Sequence, residues 1–173
     1  QHFIILKTIL ESFQGTVIID ADGLNTLVDH LDLLVGSKAQ IILTPHLKEF
    51  SRLTGKSIDE IKKDEIHIAQ DFAAYCYVTL ILKGHTTIVT DGAQVYLCKC
   101  GAPGMATSGS GDVLSGVLAG ILAYQDCNLL SVSAGVMLNG LAGEIAEEKN
   151  TDISMIASDT IASIPEAIKK IRE

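Results

Sequence analysis

The 173-residue sequence lacks a cluster of basic residues, and this absence limits what the protein can be expected to bind. Lysine and arginine number 13 against 21 aspartate and glutamate residues, so the formal net charge is −8. Because nucleic acids and anionic membranes attract positively charged surfaces, neither is an expected partner. Any phosphate group that the protein binds must be held by local loops rather than by a general positive field.

The sequence also lacks an apolar run long enough to cross a lipid bilayer, since the longest one covers residues 113–124 and includes Ser115. Its first residues have neither the basic start nor the small-residue cleavage site of a signal peptide. We therefore expect a cytoplasmic protein without a membrane partner.

Cysteine is sparse, with four residues in the chain. Cys98 and Cys100 would point to the same face of a strand, but no second pair of ligands accompanies them to complete a zinc site. We expect all four cysteines to be reduced thiols, as is usual in the cytoplasm, and no zinc ion.

Apolar residues make up 47% of the chain and charged residues 20%, which is typical of a globular protein of one domain, here residues 1–173. Short apolar segments alternate with segments of helical periodicity, which predicts an α/β fold with a mostly parallel sheet. The Asp91-Gly92 turn predicts an antiparallel hairpin at one side. The predicted strands are 16–19, 39–43, 78–82, 87–90 and 94–98, and the predicted helices include 3–13, 24–31, 48–53, 66–76, 113–124, 128–150 and 159–172, the last kinked or divided at Pro165.

A glycine-rich stretch, residues 107–111, precedes a segment with apolar residues at every fourth position. The stretch is predicted to open a helix, where free N–H groups and the helix dipole attract phosphate oxygens or another oxyanion. Asp112 adds a carboxylate that can deprotonate a hydroxyl while the N–H groups stabilise the developing charge. The alternative is that Asp112 only caps its helix and the stretch is only a turn.

Polar residues also follow the predicted strands. Asp20, Asp22 and Asn25 come after the first strand, His46 after the second and Lys83 after the third. Ligands of open α/β sheets collect outside the carboxyl ends of strands, so these residues are site candidates. Asp20 or Asp22 equally fits the cap of the following helix, and a lysine at a strand end is also common on surfaces.

Residues 103–116, PGMATSGSGDVLSG, resemble the signature of the ADP-dependent NAD(P)H-hydrate dehydratases, a branch of the ribokinase-like superfamily. Four further blocks match in the family's order, which is more specific than any single motif. They are residues 20–25 (DADGLN), 44–50 (TPHLKEF), 82–84 (LKG) and 135–140 (GVMLNG). The sequence departs from the family at Leu47-Lys48, where Pro-Gly is usual, and at Asn139, where histidine is common.

The resemblance implies a ribokinase-like layered fold with helices on both faces of the sheet. It implies removal of water from hydrated NADH or NADPH, driven by ADP, or by ATP in some members, with Mg²⁺. Asp112 would take the proton from the ring hydroxyl as this oxygen attacks the terminal phosphate, while His46 lies against the hydrated nicotinamide and Glu49 organises Mg²⁺. The implied nucleotide-binding residues are Lys83, Gly84, His85, Thr86 and Thr87 at the AMP part, and Gly109, Ser110 and Gly111 at the transferring phosphoryl group.

In the family, the domain begins well before the position equivalent to Gln1. We therefore expect this chain to hold the nucleotide-binding part of a partial domain. Such a part exposes a sheet edge and an apolar surface, so we expect a homo-oligomer or another partner. Two alternative functions stay open: a ribokinase-like kinase of a vitamin precursor or sugar, and a nucleotide-binding fragment that is inactive alone.

Overall fold

The computed structural model describes residues 2–173, which divide into two compact units. The first unit ends at Leu97, and the second is Cys98–Glu173. Each unit contains a hydrophobic cluster of its own. A single domain over residues 1–173 therefore stays a prediction.

The first unit alternates strands with helices, as the apolar pattern predicts. Its elements are α1 (His2–Ser12), β1 (Thr16–Ile19), α2 (Asp22–Leu27), α3 (Asp32–Val35), β2 (Gln40–Leu43), α4 (Leu47–Thr54), α5 (Ile58–Lys63), α6 (Glu65–Cys76), β3 (Thr79–Leu82), β4 (Thr87–Thr90) and β5 (Val95–Cys98), which leads into the second unit. The sequence predicts one helix over 24–31, whereas in the structure α2 ends at Leu27 and a separate helix, α3, begins at Asp32. A four-residue helix such as α3, without a side-chain cap, leaves little periodic signal.

The five strands form one sheet in the order β1-β2-β3-β4-β5. β1 and β2 are parallel, β2 and β3 are parallel, and β3 pairs with β4 antiparallel. The predicted mostly parallel sheet with an antiparallel side is thus confirmed. β1 is not buried on both faces, although its residues form a continuous apolar run. It is the edge strand, so Thr16, Val17 and Ile18 are only half-buried.

Helices and strands of the first unit share one hydrophobic core, in which α4 and α6 meet through a pair of aromatic rings. The rings of Phe50 and Phe72 meet edge to face with centroids 5.3 Å apart, and Leu43 and Leu80 of the central strands belong to the same cluster. Burial of each such side chain contributes about 1.5–3 kcal/mol. This core holds the central strands, and hence the residues at their carboxyl ends, in fixed positions.

The second unit is helical. It contains a single 3₁₀ turn (Pro103–Met105), α7 (Ser110–Leu122), α8 (Leu129–Ser154) and α9 (Ala157–Arg172). The sequence predicts that Pro165 kinks or divides the last helix. It does not divide it, since α9 runs through this residue, and the kink stays a prediction. Proline cannot donate to the carbonyl of Ile161, but Ile161 is exposed, so solvent can satisfy that carbonyl.

Small residues let α8 and α9 pack closely. Ala142 and Ala146 on α8 are fully buried, as is Ala167 on α9. Ile145 fills the same cluster, and Leu138, Leu141 and Ile164 cover it. The segment before α7 is attached to α8, since the N–H groups of Gly101 and Gly104 donate to Glu144 Oε1 at 2.9 Å and Glu147 Oε2 at 2.7 Å.

Within residues 2–173, α8 alone is long and apolar enough to cross a membrane by length and composition. The most apolar part of α8 has a mean hydropathy of 1.4, and 56% of this part is buried inside the protein. A core helix passes the same test, so this is weak evidence for a membrane span.

Candidate functional site

The glycine-rich loop turns into α7 at the predicted place. Gly109 precedes the helix with φ of 89°, in the left-handed region that favours glycine. Its carbonyl accepts from the Val113 N–H at 3.1 Å, which begins the helix. In the part of the chain that the structure describes, the N–H groups of Gly111 and Asp112 have no protein acceptor. The loop therefore presents two free donors at a helix N-terminus, the arrangement that binds anions.

Asp112 is exposed in the first turn of α7. Gly109 is the cap residue, and no side chain makes a capping hydrogen bond at this helix start. The alternative that Asp112 only caps its own helix is therefore wrong. Its carboxylate remains available to accept a proton beside the free N–H groups.

Ser110 adds a third unsatisfied group to the loop. Its Oγ is buried and has no hydrogen-bond partner among the described residues. A buried hydroxyl without a partner destabilises a fold, and such groups often mark a place where a ligand or water binds. Sequence reasoning selected Ser110 as a nucleotide contact.

Asn139 on α8 is a residue that sequence reasoning did not assign to the site. It is 7% exposed, and its Oδ1 has no partner in the described part of the chain. The sequence offered one signal for Asn139, which is that the family commonly has histidine at this position. The local sequence pattern does not reveal that an asparagine side chain will be buried with an unsatisfied acceptor.

In the first unit, backbone hydrogen bonds join the carboxyl ends of β1, β2 and β3. The Thr44 N–H donates to the carbonyl of Ile19 at 3.2 Å, and the Lys83 N–H donates to that of Pro45 at 2.8 Å. His46 forms a parallel bridge with Lys83. The topology thus brings Asp20, His46 and Lys83 to one edge of the sheet, as expected for open α/β sheets.

Asp20 and Lys83 form an ion pair at this edge. Lys83 Nζ lies 3.0 Å from Asp20 Oδ1, and the side chains are 25% and 20% exposed. The ammonium group predicted to meet the AMP part of the nucleotide is therefore neutralised by Asp20 in this structure. The capping role considered for Asp20 or Asp22 was wrong, since Ala21, at φ of 48°, precedes α2 and no side chain caps it.

The remaining candidates after β1 lie on the surface. Asp22 is exposed in the first turn of α2. Asn25 Oδ1 accepts a hydrogen bond from Arg52 Nη1 at 2.9 Å, which ties α2 to α4. Asn25 is thus engaged in a structural contact.

His46 and Glu49 form a reciprocal capping box at the start of α4. His46 Nδ1 accepts from the N–H groups of Lys48 at 3.1 Å and Glu49 at 3.2 Å. Glu49 Oε2 accepts from the His46 N–H at 2.9 Å, and the Glu49 residue is 8% exposed. A second capping box, of Ser57 and Glu60, begins α5 and has the usual Ser-x-x-Glu pattern. Sequence reasoning missed the box of His46 and Glu49 because histidine is an unusual first residue of the motif.

The loop between β3 and β4 carries the other predicted nucleotide contacts. Gly84 and His85 are exposed, while Thr86 and Thr87 are half-buried. Thr87 Oγ1 donates to the carbonyl of Gly84 at 3.5 Å. These residues lie in the first unit, and the glycine-rich loop lies in the second. Their shared role at a nucleotide stays a prediction.

The residues present do not form a metal cage. Within residues 2–173, no group of three histidine, cysteine, aspartate or glutamate side chains is placed to hold a metal ion. Glu49, predicted beside Mg²⁺, uses Oε2 to accept from the His46 N–H. Mg²⁺ is commonly held by one or two carboxylates together with substrate phosphates. A Mg²⁺ ion near Glu49 would therefore need phosphate oxygens of a nucleotide as further ligands.

Comparison with known proteins gives a consistent family. A family model described as NAD(P)H-hydrate dehydratase matches residues 2–166. A bifunctional NAD(P)H-hydrate repair enzyme of Moorella thermoacetica is 35% identical over 171 residues, which are 98% of this chain and 32% of that protein. The chain thus spans about a third of the length of this curated relative.

Solved structures agree on the fold. The structure of an ADP/ATP-dependent NAD(P)H-hydrate dehydratase from Bacillus subtilis, co-crystallised with ATP/Mg²⁺, has a TM-score of 0.79 at 26% identity, covering 93% of this chain and 57% of that one. A ribokinase-like superfamily protein from Enterococcus faecalis has a TM-score of 0.82 at 27% identity, covering 97% and 58%. The predicted ribokinase-like α/β fold is confirmed, and the chain belongs to the NAD(P)H-hydrate dehydratase family.

Proposed function

We propose that this chain binds an adenine nucleotide and takes part in the ADP-dependent dehydration of hydrated NADH or NADPH. Family membership supports this, as does the Bacillus subtilis neighbour, which is described as ADP/ATP-dependent. The chain spans about a third of the length of the Moorella thermoacetica relative. We therefore also propose that this chain is active by itself.

The chemistry proposed is phosphoryl transfer followed by elimination. Asp112 removes the proton from the ring hydroxyl of the hydrate while this oxygen forms a bond to the terminal phosphorus of ADP, and AMP leaves. The N–H groups of Gly111 and Asp112 stabilise the charge on the transferring group. The new ester then loses inorganic phosphate, expelled by the ring nitrogen, and a proton leaves the neighbouring carbon to restore the double bond.

The glycine-rich loop is the observation that supports this proposal most directly. One turn of chain holds the two free N–H groups, the unpartnered hydroxyl of Ser110 and the exposed carboxylate of Asp112. Transfer of a phosphoryl group to a hydroxyl needs hydrogen-bond donors for the phosphoryl oxygens and a base for the hydroxyl proton. When bound, Mg²⁺ would offset the negative charge of the nucleotide phosphates, and Glu49 as its carboxylate ligand stays a prediction.

Two alternatives share this loop. A ribokinase-like kinase of a vitamin precursor or sugar would use the same proton transfer but stop at the phosphorylated alcohol. A nucleotide-binding fragment would bind ADP without turnover. The sequences around His46 and Met105 resemble the dehydratases and favour the first proposal over the kinase.

We further propose that the chain self-associates in a reducing, cytoplasmic setting. β1 leaves one edge of the sheet without a partner strand within the described residues. Ile4 and Ile5 on α1 are exposed, as is Phe13 just after this helix. Such edges and apolar surfaces favour association. All four cysteines are free thiols, which suits a reducing compartment. A light-scattering mass equal to a monomer at working concentration would contradict the self-association.

The function is tested by calorimetric titration of the chain with ADP and Mg²⁺, followed by addition of hydrated NADH while the absorbance of reduced nicotinamide is recorded. Binding with recovery of absorbance supports the dehydratase. Binding with a phosphorylated alcohol as product, from a panel of alcohols, supports the kinase. Binding without turnover supports the fragment, and no binding means that the glycine-rich loop is only a turn.

A further inference from the structure

We infer that Glu144 and Glu147 of α8 act as positioning residues for the glycine-rich loop, residues 107–111. They anchor the connecting segment, residues 100–106, which leads into this loop. In this way they fix the direction of the free N–H groups at the start of α7. The inference lies within the second unit, and it rests on the proposed function only for the identity of the anion that these N–H groups meet.

Two backbone N–H groups of the connecting segment are bound by carboxylates of α8. The Gly101 N–H donates to Glu144 Oε1 at 2.9 Å, and the Gly104 N–H donates to Glu147 Oε2 at 2.7 Å. Both donors and both acceptors are three residues apart, so one face of the helix holds two successive points of the segment. Hydrogen bonds to a charged acceptor are roughly twice as strong as neutral ones.

The two anchors differ in how well solvent can replace them. Gly104 is buried, and its bond to Glu147 is partly buried. The bond of Gly101 to Glu144 is exposed, so water can take the place of this carboxylate. Without an acceptor at position 147, the Gly104 N–H would lose its partner inside the protein. We therefore expect Glu147 to be the stronger anchor.

Glycines of α8 allow the connecting segment to approach closely. A Cβ at Gly140 would lie 2.5 Å from the carbonyl oxygen of Cys100. A Cβ at Gly143 would overlap Sδ of Met105. The segment therefore packs on the backbone of α8, with no side chain at positions 140 and 143 between them.

The anchored turn is close in sequence to the cap of α7. Only residues 106–108 lie between Met105 and Gly109, and the Ala106 N–H donates to the carbonyl of Pro103 at 3.0 Å. On its far side, Gly109 lies near the start of α9, since an added Cβ would be 3.2 Å from Cβ of Ala157. With so short a connection, the position of the turn limits the position of Gly109 and of the N–H groups that follow it.

Fixed donors suit a site that stabilises a transferring phosphoryl group. Such donors are most effective when they are in place before the charge develops, because no reorganisation is then needed. The N–H groups of Gly111 and Asp112 are held by α7 on one side and by the anchored segment on the other. Glu144 and Glu147 act through the backbone and need no contact with the nucleotide.

A cation site is the alternative role for these carboxylates. Glu144 and Glu147 line an open cavity of about 540 Å³ together with Glu148 and Asp152. The two roles have different chemical needs. An N–H donor is satisfied by an uncharged amide oxygen, whereas a cation site made of carboxylates depends on their negative charge. Replacement of glutamate by glutamine therefore separates the two roles.

Calorimetric titration with ADP and Mg²⁺ is the first test. Glu147→Ala removes the acceptor and should weaken ADP binding roughly tenfold, the value of one hydrogen bond to a charged group. Glu147→Gln keeps an acceptor oxygen and should stay within about threefold of wild type. Glu144→Ala should give a smaller loss than Glu147→Ala. Unchanged affinity in Glu147→Ala, or an equal loss in Glu147→Gln and Glu147→Ala, would overturn the inference.

Glu148→Ala is the matched control. Glu148 lies on the same helix and lines the same cavity, but it makes no hydrogen bond to the connecting segment. This variant should bind ADP as wild type does, whereas a loss as large as that of Glu147→Ala would identify a cation site and overturn the inference. Urea unfolding shows which variants are folded at the assay temperature. If Glu147→Ala is not folded, Glu144→Ala with its Gln counterpart supplies the comparison.

Backbone ¹H–¹⁵N spectra without nucleotide are the second test. The amide signals of Gly109, Gly111 and Asp112 should move in Glu147→Ala and stay near their wild-type positions in Glu147→Gln. A merely stabilising role would leave these signals unmoved in folded Glu147→Ala, and that result would overturn the inference. If wild type does not bind ADP, the proposed function fails while the spectra still test the positioning. If wild type binds ADP and the signals do not move, the inference fails alone.

Discussion

Lys83 Nζ and Asp20 Oδ1 lie 3.0 Å apart although 63 residues separate them in the sequence. The pair joins the carboxyl ends of β3 and β1, with β2 between them in the sheet. The family resemblance implies that Lys83 contacts the AMP part of a nucleotide. Here its charge is balanced within the protein, so a nucleotide must compete with Asp20 for it.

Asp20→Asn should lower the free energy of unfolding by about 1–2 kcal/mol, because it leaves the half-buried ammonium of Lys83 without a charged partner. Urea unfolding of Asp20→Asn, Lys83→Met and the double variant measures the coupling. We expect a coupling of about 1 kcal/mol between the two sites. Strictly additive effects would show that the pair does not form in solution.

Asp112→Asn should reduce turnover of the hydrate at least about 100-fold, since the amide cannot accept the proton. ADP affinity should stay within about twofold, because the N–H groups that hold the phosphate are unchanged. Turnover assays and calorimetry measure these two effects. Asp126→Asn, at another exposed aspartate of the second unit, is the control and should change neither. An active Asp112→Asn variant would eliminate the proposed base.

Gly109→Ala should destabilise the protein by about 1–2 kcal/mol and weaken ADP binding. The position has φ of 89°, and an added Cβ would lie 3.2 Å from Cβ of Ala157. Gly116→Ala is the matched control within α7, where an added Cβ meets nothing within 4 Å. It should stabilise the protein by about 0.5–1 kcal/mol through helix propensity. Urea unfolding of both variants measures the two changes in the free energy of unfolding. Destabilisation by both substitutions, or stabilisation by both, would contradict the loop geometry.

His67 should titrate above the ordinary histidine value. Its hydrogen bond to Asp64, with Nδ1 and Oδ1 2.6 Å apart, raises the pKa of His67. Since the folded pKa is raised, the stabilisation is fully present below about pH 6.5 and is lost as the pH rises through the folded pKa. NMR titration of the ring measures this shift. In Asp64→Asn the pKa should return toward the ordinary value, and an unchanged titration there would disprove the pairing.

Cys76 should resist thiol reagents in the folded protein. It is fully buried, and burial raises its pKa to about 11, so little thiolate exists at pH 8. Mass spectrometry after iodoacetamide treatment should find Cys127, which is half-buried, modified before Cys76. Denaturant should abolish the difference. Rapid labelling of Cys76 in the native protein would contradict its burial.

Local pattern was sufficient for much of the fold. The strands around Ile18, Ile42 and Ile81 are short apolar runs rich in β-branched residues and bounded by polar residues or turns, which together favour strands. The start of α7 after Gly109 follows from the glycine and the apolar period behind it. These features depend on residues close together in the sequence, so they can be predicted from the sequence.

Other features required the chain to fold. The half-burial of β1, the passage of α9 through Pro165 and the ion pair of Asp20 with Lys83 all depend on what lies beside a residue in space. The capping box of His46 and Glu49 was hidden because its cap is an atypical residue whose role appears only when the ring meets the helix start.

By itself, the sequence determined the family, the α/β alternation and the residues able to carry the chemistry, because each is written in residue type, order and spacing. The tertiary structure alone decided which polar groups are satisfied within the protein and which remain free. Lys83 and Glu49 are engaged by partners, whereas Asp112 and the donors of its loop are open. The reason is physical: the availability of a charge or a hydrogen bond depends on everything folded around it.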